Sequence, residues 1–448
     1  MRLVTRVVLA VLAVFTLSAS VLGVLWWSYR GEYPSAPIVK RQRAFKPLAI
    51  GPAVAPSDRI VVLLVFDGLA PELVRAVPTP NLDRMKRDGA YTLALQPVFP
   101  TLSMPNHTSL STGCYPERHG VVSNRFVDPV RGLYAENLGD ALWLEGCEHL
   151  TEVAERQGVR VADFGWVGAH RGEQLLVSEG GPYEEFGMAI EPRIDQVTKA
   201  IAASAQLRSR LILSYVDEPD HTLHPDGLTA PSSRAVMTRI DAAIGRVLDA
   251  IDAAGLRERT ALIVTTDHGM IAAGDHINLE GILRRASIDA LFVADATTAH
   301  VYLHDPSTRD AAAKLLAEHA QQLEVLVPER SLPLHMGRSK RLGDLTLNAK
   351  PPYYMFDRGI WPQDLRFAAP FAPDILPDHR LKGMHGYHQG VPGVQAVLFA
   401  SGAGVAHGAV LDGMRSIDVH PTIAALLGIA PGVPVDGTAY RPLLLAAQ

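Results

Sequence analysis

The sequence predicts an α/β fold in which a mainly parallel central sheet lies between layers of helices. Five short apolar runs have the length and composition of buried strands: residues 59–66, 159–165, 210–216, 260–266 and 394–400. Segments with helical periodicity separate these runs, and such alternation is typical of parallel sheets. With 448 residues, 48% hydrophobic and 20% charged, the chain can bury one large core with an insertion, or two small domains.

The chain begins with an uncharged, mostly apolar segment at residues 7–27. As a helix, this segment would extend about 31 Å, enough to cross a bilayer core of about 30 Å. Arg2 and Arg6 precede it, and a pair of tryptophans ends it like an interfacial aromatic belt. We expect residues 1–30 to form a membrane anchor. A cleaved signal peptide, with small residues at 18–20 as its cleavage site, is the alternative.

The next segments differ in composition. Residues 31–57 are rich in Pro and Ala, carry scattered basic residues and show no periodic apolar face, which predicts a tether before a folded domain at 58–448. The clearest helical pattern spans about 232–254, where apolar residues form one stripe and Gly255 ends the helix. Residues from about 280 to 380 are rich in Pro and aromatics, which predicts an inserted cap region.

Net charge and cysteine content narrow the possible functions. A net charge of −5 argues against a general nucleic-acid binder. The only two cysteines, Cys114 and Cys147, fit no zinc motif. They are either unpaired buried thiols or, in an oxidising compartment, a disulfide. Nothing in the sequence indicates the oligomeric state.

Four short segments carry side chains that bind divalent cations, each just after an apolar run or in a Gly-rich loop. They are Asp67, the pair Asp220 and His224, the pair Asp267 and His268, and His385. Zinc binds imidazole nitrogen and carboxylate oxygen, and two ions about 4 Å apart can hold both the attacking and the leaving oxygen of an in-line displacement. Each residue alone is typical of a cap or turn. Together they predict a two-metal phosphate site at the carboxyl edge of the sheet.

A candidate nucleophile, Ser103, lies between the first two of these segments. The sequence predicts that Ser103 starts a helix, with Pro105 in its first turn and Gly113 at its end. A hydroxyl there faces unpaired N–H groups and the positive end of the helix dipole, where a phosphate is stabilised. A neighbouring metal would lower the pKa of the hydroxyl. Asn124 offers an amide donor to a non-bridging phosphoryl oxygen.

Five sequence blocks contain these candidate residues. The blocks are 66–68, 103–107 with 112–120, 218–220, 266–270 and 384–387. In their order and spacing they resemble the signature of the nucleotide pyrophosphatase/phosphodiesterase family, also called type I phosphodiesterases, of the alkaline phosphatase superfamily. The resemblance covers roughly residues 58–448. It implies an alkaline phosphatase-like catalytic core.

The resemblance also implies a role for each candidate. One zinc ion would be held by Asp220, His224 and His385, and the other by Asp67, Asp267 and His268, with Ser103 as a further ligand of the second ion. Ser103 would attack phosphorus, Asn124 would assist the phosphoryl oxygen, and water would then hydrolyse the phosphoseryl intermediate. We therefore expect a zinc-dependent phosphodiesterase or pyrophosphatase that acts on a small phosphodiester or nucleotide. The family works outside the cytoplasm, so we expect a periplasmic or extracellular catalytic domain.

Two residues depart from the family pattern and leave alternatives open. The family's nucleophile is usually Thr, whereas this chain has Ser103. Met104 replaces the Phe that stacks on the base in nucleotide-cleaving members, which weakens the case for a nucleotide substrate. A phosphomonoesterase of the same superfamily is one alternative. In it, Arg171 would bind the additional negative charge that a phosphate monoester carries. A sulfatase, whose motif has Arg in place of His107, and an inactive membrane-tethered binding module are the others.

Overall fold

The computed structural model describes residues 57–135, 143–167, 188–327, 331–356 and 369–445. The strands are β1 (Ile60–Phe66), β2 (Gly89–Leu95), β3 (Arg125–Asp128), β4 (Gly132–Ala135), β5 (Val161–Phe164), β6 (Leu211–Val216), β7 (Thr260–Thr265), β8 (Ile271–Ala272), β9 (His276–Ile277), β10 (Ala290–Asp295), β11 (Thr298–Leu303), β12 (Leu323–Leu326), β13 (Leu345–Ala349), β14 (Ile375–Leu376), β15 (Gly383–Met384), β16 (Ala396–Gly402) and β17 (Ala409–Val410). The α-helices are α1 (Pro71–Ala76), α2 (Pro80–Asp88), α3 (Ser103–Thr112), α4 (Pro116–His119), α5 (Leu150–Arg156), α6 (Ile190–Ala202), α7 (Asp220–Asp226), α8 (Pro231–Ala253), α9 (Leu279–Arg285), α10 (Arg309–Ala317) and α11 (Val419–Leu427).

Seven strands form the central sheet, in the order β17-β2-β16-β7-β1-β6-β5. β5, β6, β1 and β7 are mutually parallel. β16 runs antiparallel to both of its neighbours, β7 and β2. All five predicted runs are strands of this sheet, so the prediction of a mainly parallel sheet is confirmed.

The sheet lies between two hydrophobic layers. Every residue of β1 is buried, and its side chains alternate between the layers, with Val61, Leu63 and Val65 in one and Val62, Leu64 and Phe66 in the other. Burial on both faces explains why the strand is an unbroken apolar run. The predicted stripe of α8 packs into the second layer: Val236, Ile240, Ile244, Val247, Leu248 and Ile251. The predicted arrangement of a sheet between helices is therefore confirmed.

A smaller antiparallel sheet lies within the predicted insertion. Its strand order is β10-β11-β13-β12, and it has a core of its own, which includes Val301, Leu316 and Leu347. Buried Asn348 of β13 connects this sheet to the segment after β15, because its amide donates to the Gly386 carbonyl oxygen at 2.9 Å. The domain boundaries at 58 and at 280–380 stay predictions.

A disulfide joins Cys114, just after α3, to Cys147, just before α5, with their Cα atoms 6.7 Å apart. Of the two states that the sequence leaves open, the structure has the paired one. The predicted anchor at 1–30 and nearly all of the predicted tether at 31–57 lie outside the described residues. Among the residues that are described, no helix is both long and apolar enough to cross a membrane.

Candidate active site

The predicted carboxylates converge where β1, β6 and β7 end. Asp67 directly follows β1, Asp220 begins α7 just after β6, and Asp267 lies two residues beyond β7. The Asp67 N–H donates to the Val216 carbonyl oxygen at 2.9 Å, and the Asp220 N–H donates to the Asp67 carbonyl oxygen at 3.1 Å. These bonds fasten the ends of β1 and β6 together. The carboxyl edge of the parallel sheet therefore holds all three acidic candidates.

Two overlapping groups of side chains have ligand atoms within 4.8 Å of one another. The groups are Asp67, Asp267 and His268, and Asp220, His268 and His385. The first group is the set predicted for one ion. In the second, His268 stands where the predicted set has His224. The His224 Nε2 atom is nevertheless 3.3 Å from Asp220 Oδ2, and its ring centroid is 5.1 Å from that of His385. The ligand sets themselves stay a prediction.

Each of these carboxylates has one buried oxygen without a hydrogen-bond partner among the described residues: Asp67 Oδ1, Asp220 Oδ1 and Asp267 Oδ2. The other oxygen of Asp267 accepts from three donors, the Gly68 and His268 N–H groups and the Thr266 hydroxyl. Burying several carboxylates with unpartnered oxygens is costly unless a cation compensates them. The donor set therefore fits divalent metal ions.

The three candidate histidines are held by the same kind of hydrogen bond. Each Nδ1 atom bonds to a backbone carbonyl oxygen: His224 to Gly383 at 2.9 Å, His268 to Gly269 at 3.0 Å and His385 to Thr101 at 3.0 Å. A carbonyl oxygen only accepts, so Nδ1 carries the proton and, in the neutral ring, Nε2 is left as the lone-pair donor. Metal-ligating histidines are held in this way.

Burial and neighbouring charges shift the pKa values of the candidate ligands. Burial, together with the neighbouring Asp267 and Asp220 carboxylates, raises the pKa of Asp67 to about 7. Burial and then the proximity of His268 lower the pKa of His385 to about 3, so this imidazole is neutral at neutral pH. Burial opposes the charged form of His224, but the facing Asp220 carboxylate outweighs it and raises the His224 pKa to about 9. A metal ion would displace that proton.

Ser103 is the first residue of α3, as predicted, and Gly113 ends the helix in the left-handed conformation. The Ser103 Oγ atom lies 3.2 Å from His268 Nε2. The expected unpaired N–H groups are largely absent from the described helix start. The Met104 N–H donates to Asn124 Oδ1 at 2.9 Å, and Pro105 has no N–H. Since its oxygen accepts from Met104, the Asn124 side chain has its amide N–H groups left to donate to a substrate.

A cavity of about 430 Å³ opens above these residues. Its lining includes Ser103, Met104 and Asn124 together with Asp67, Asp220, His224 and His385. Asp295 and Phe356, which the sequence did not single out, also line it from the predicted insertion. The cavity therefore brings the predicted nucleophile, the amide donor and four of the six predicted ligands to one surface. Gly168 to Arg171, the segment weighed for a phosphomonoesterase, lies outside the described residues.

The sequence reading missed two buried residues that contact the acidic group, His107 and Tyr215. The His107 Nε2 atom lies 3.3 Å from Asp267 Oδ2 and 3.6 Å from Asp67 Oδ2, without the geometry of a hydrogen bond. His107 is four residues after Ser103 in α3, so helical spacing could have identified it. The Tyr215 hydroxyl donates to Asp67 Oδ2 at 2.6 Å. A tyrosine within an apolar strand looks like an ordinary core residue, so no sequence signal marked it.

The Pro100 to Ser103 segment is tied to the segment that carries His385. The Thr101 hydroxyl donates to the Tyr387 carbonyl oxygen at 2.9 Å and accepts from the Gly386 N–H at 3.0 Å. The Thr101 carbonyl oxygen is also the partner of the His385 ring. One threonine therefore fixes the nucleophile's segment relative to His385.

Comparisons with known proteins agree with this geometry. The family model described as type I phosphodiesterase / nucleotide pyrophosphatase matches residues 61–388. Mouse ectonucleotide pyrophosphatase/phosphodiesterase family member 1 is 24% identical over 80% of this chain. This chain spans only 39% of the mouse protein's length. Human family member 7 is 26% identical, with 84% of this chain and 81% of the human protein covered.

Solved structures show the same fold. Human ectonucleotide pyrophosphatase/phosphodiesterase 5 superposes with a TM-score of 0.75 at 23% identity, over 87% of this chain and 100% of that one. An inactive variant of the murine protein, in complex with AMP, gives a TM-score of 0.74 at 23% identity over 86% of this chain and 100% of that one. The family match covers most of the chain and includes the segments that carry every candidate ligand. The chain therefore belongs to the type I phosphodiesterase / nucleotide pyrophosphatase family.

Proposed function

We propose that the chain is a two-zinc hydrolase that cleaves phosphodiester or pyrophosphate bonds through a phosphoseryl intermediate on Ser103. The observation that carries the proposal is the position of the Ser103 hydroxyl. It lies 3.2 Å from His268, the residue that belongs to both candidate metal groups. A nucleophile placed there can attack a phosphorus atom whose oxygens face both groups.

The donor set supports two zinc ions. Nitrogen and carboxylate oxygen are the ligands that zinc prefers, and the buried unpartnered oxygens require positive charge. Asp67, Asp267 and His268 would hold one ion, with Ser103 as a further ligand. Asp220, His385 and His224 would hold the other. When bound, such ions supply Lewis-acid stabilisation of the attacking and leaving oxygens.

The chain's own residues would then orient the substrate. Helix α3 directs the Ser103 hydroxyl towards the metal groups, and the positive end of its dipole favours the ionised form of that hydroxyl. The Asn124 amide would donate to a non-bridging oxygen as negative charge develops there. Met104 and Phe356 line the cavity as apolar surfaces for the leaving or retained group. A structural relative in complex with AMP supports including a nucleotide among the test substrates.

A turnover panel tests the reaction class. Bis-p-nitrophenyl phosphate, p-nitrophenyl phosphate and thymidine 5′-monophosphate p-nitrophenyl ester would be compared on the purified domain from about residue 50, with zinc content measured in parallel. We expect two zinc ions per chain and a higher kcat/KM for the diesters. A preference for the monoester would instead identify a phosphomonoesterase. Absence of both turnover and zinc would identify an inactive module.

Variants of Ser103 test the covalent step. Ser103→Ala should abolish turnover while retaining both ions, since three protein ligands remain at the nearer site. Ser103→Thr should stay active, because it keeps an oxygen nucleophile. Wild-type protein quenched in acid during turnover should carry phosphate on Ser103, detectable by mass spectrometry. Near-normal rates for Ser103→Ala would require direct attack by water and would refute the intermediate.

We further propose that the catalytic domain works outside the cytoplasm, attached to a membrane by residues 1–30. Two observations support this location: the disulfide, which persists in oxidising compartments, and the match to ectoenzymes. Carbonate extraction of membranes and protease accessibility of the domain in intact cells test the proposal. Release of the full-length chain by carbonate would contradict anchoring.

A further inference from the structure

Sheet register places Tyr215 beside Asp67. Tyr215 of β6 pairs with Val65 of β1, two residues before Asp67. Successive residues of a strand alternate between faces, so Tyr215 lies on the face shared by Val65 and Asp67. Both side chains are buried, with Tyr215 4% and Asp67 3% exposed. The backbone therefore brings a phenol hydroxyl to a carboxylate at the edge of the metal groups.

The contact distinguishes the two oxygens of Asp67. The Tyr215 hydroxyl donates to Oδ2 at 2.6 Å, a short hydrogen bond. Oδ1 has no hydrogen-bond partner among the described residues and lies 3.4 Å from His268 Nε2. The hydroxyl thus engages Oδ2 and leaves Oδ1 facing His268.

The phenol ring is itself held by the helix that carries the nucleophile. The His107 ring contacts the Tyr215 ring edge to face, with centroids 4.7 Å apart and an interplanar angle of 87°. His107 belongs to α3, one helical turn after Ser103. Packing against this helix restricts the rotation of the ring, so the hydroxyl has a fixed direction.

We propose that Tyr215 is a positioning residue that sets the orientation of Asp67, so that Oδ1 coordinates the metal ion of the Asp67, Asp267 and His268 group. The inference rests on the proposed two-metal site and adds a residue to it. Partners of this kind, which bond to a ligand and not to the metal, typically change metal affinity by about 10–100-fold when removed.

The test is zinc affinity, measured without substrate. Metal-free wild type, Tyr215→Phe and Tyr387→Phe would each be titrated with zinc against a chromophoric chelator. For Tyr215→Phe we expect one of the two ions to bind about 10–100-fold more weakly and the other within about twofold of wild type. Tyr387→Phe is the matched control. It removes the buried hydroxyl of a residue two positions after His385, one with no hydrogen-bond partner in the described part of the chain.

A double-mutant cycle separates positioning through Asp67 from a general structural effect. In an Asp67→Ala background, Tyr215→Phe should cause no further loss of zinc affinity. The inference is overturned if Tyr215→Phe binds both ions like wild type, or weakens binding equally in both backgrounds. A raised KM with unchanged zinc affinity would identify Tyr215 as a substrate contact instead, and would also overturn it. Wild-type protein that binds no zinc would refute the two-metal proposal itself.

Discussion

Removing the disulfide should destabilise the fold without changing the chemistry. Cys114 and Cys147 are separated by 33 positions, and neither belongs to a metal group. Closing a loop of this length lowers the entropy of the unfolded chain by about 12.5 cal/mol/K, or roughly 3.7 kcal/mol at 25 °C. For a folded domain of roughly 390 residues, the entropy of unfolding is about 0.8 kcal/mol/K. The melting temperature should therefore fall by roughly 4–5 °C.

The assay compares wild type with the double variant Cys114→Ala/Cys147→Ala. Urea unfolding, followed by tryptophan fluorescence and checked for reversibility, gives the free energy of unfolding, and calorimetry gives the melting temperature. Reduced wild type is the control and should match the variant. The turnover number of folded molecules should stay the same in all samples. A loss below about 1 kcal/mol, or a wild type insensitive to reductant, would refute the loop-closure argument.

Three further predictions concern the site. His385→Ala should remove mainly one zinc ion and Asp67→Ala mainly the other, as metal analysis would show; loss of both ions from each variant would contradict separate sites. Met104→Phe should raise kcat/KM for nucleotide esters but not for an aryl diester, because base stacking is worth roughly 1–3 kcal/mol; an equal change for both substrates would exclude stacking. Asn348→Leu should destabilise the fold by about 1–3 kcal/mol by leaving the Gly386 carbonyl unpaired, which urea unfolding would measure.

Part of the fold could be predicted because its physical causes are local in sequence. β1 is buried on both faces, so its apolar run is unbroken and easily recognised. Strand β2 (Gly89–Leu95), next to the short edge strand β17, was missed because its burial is intermittent and it contains Gly89, whose backbone closely approaches that of Ala400. A Cβ at this position would lie 2.0 Å from the Ala400 carbonyl oxygen. Only the tertiary structure reveals that requirement.

The candidate site, too, could be predicted from the sequence only in part. Motif order and strand ends were enough to identify Asp67, Asp220 and Asp267, because parallel strands bring their carboxyl ends to one edge. Which histidine lies nearest to which carboxylate depends on side-chain direction, so the grouping of His268 with Asp220 could not be foreseen. The engagement of the Met104 N–H by Asn124 is also a tertiary contact, between residues 20 positions apart.

The bonds made by Thr101 have a consequence for attempts to redesign or transplant this site. Because the threonine carbonyl and hydroxyl hold His385, Gly386 and Tyr387, the segment that presents Ser103 and the segment that presents His385 behave as one part. A loop exchange that replaces either segment alone would leave unmatched polar groups at the junction. Residues 100–103 and 385–387 should therefore be exchanged together, as a module whose two pieces are distant in sequence but inseparable in space.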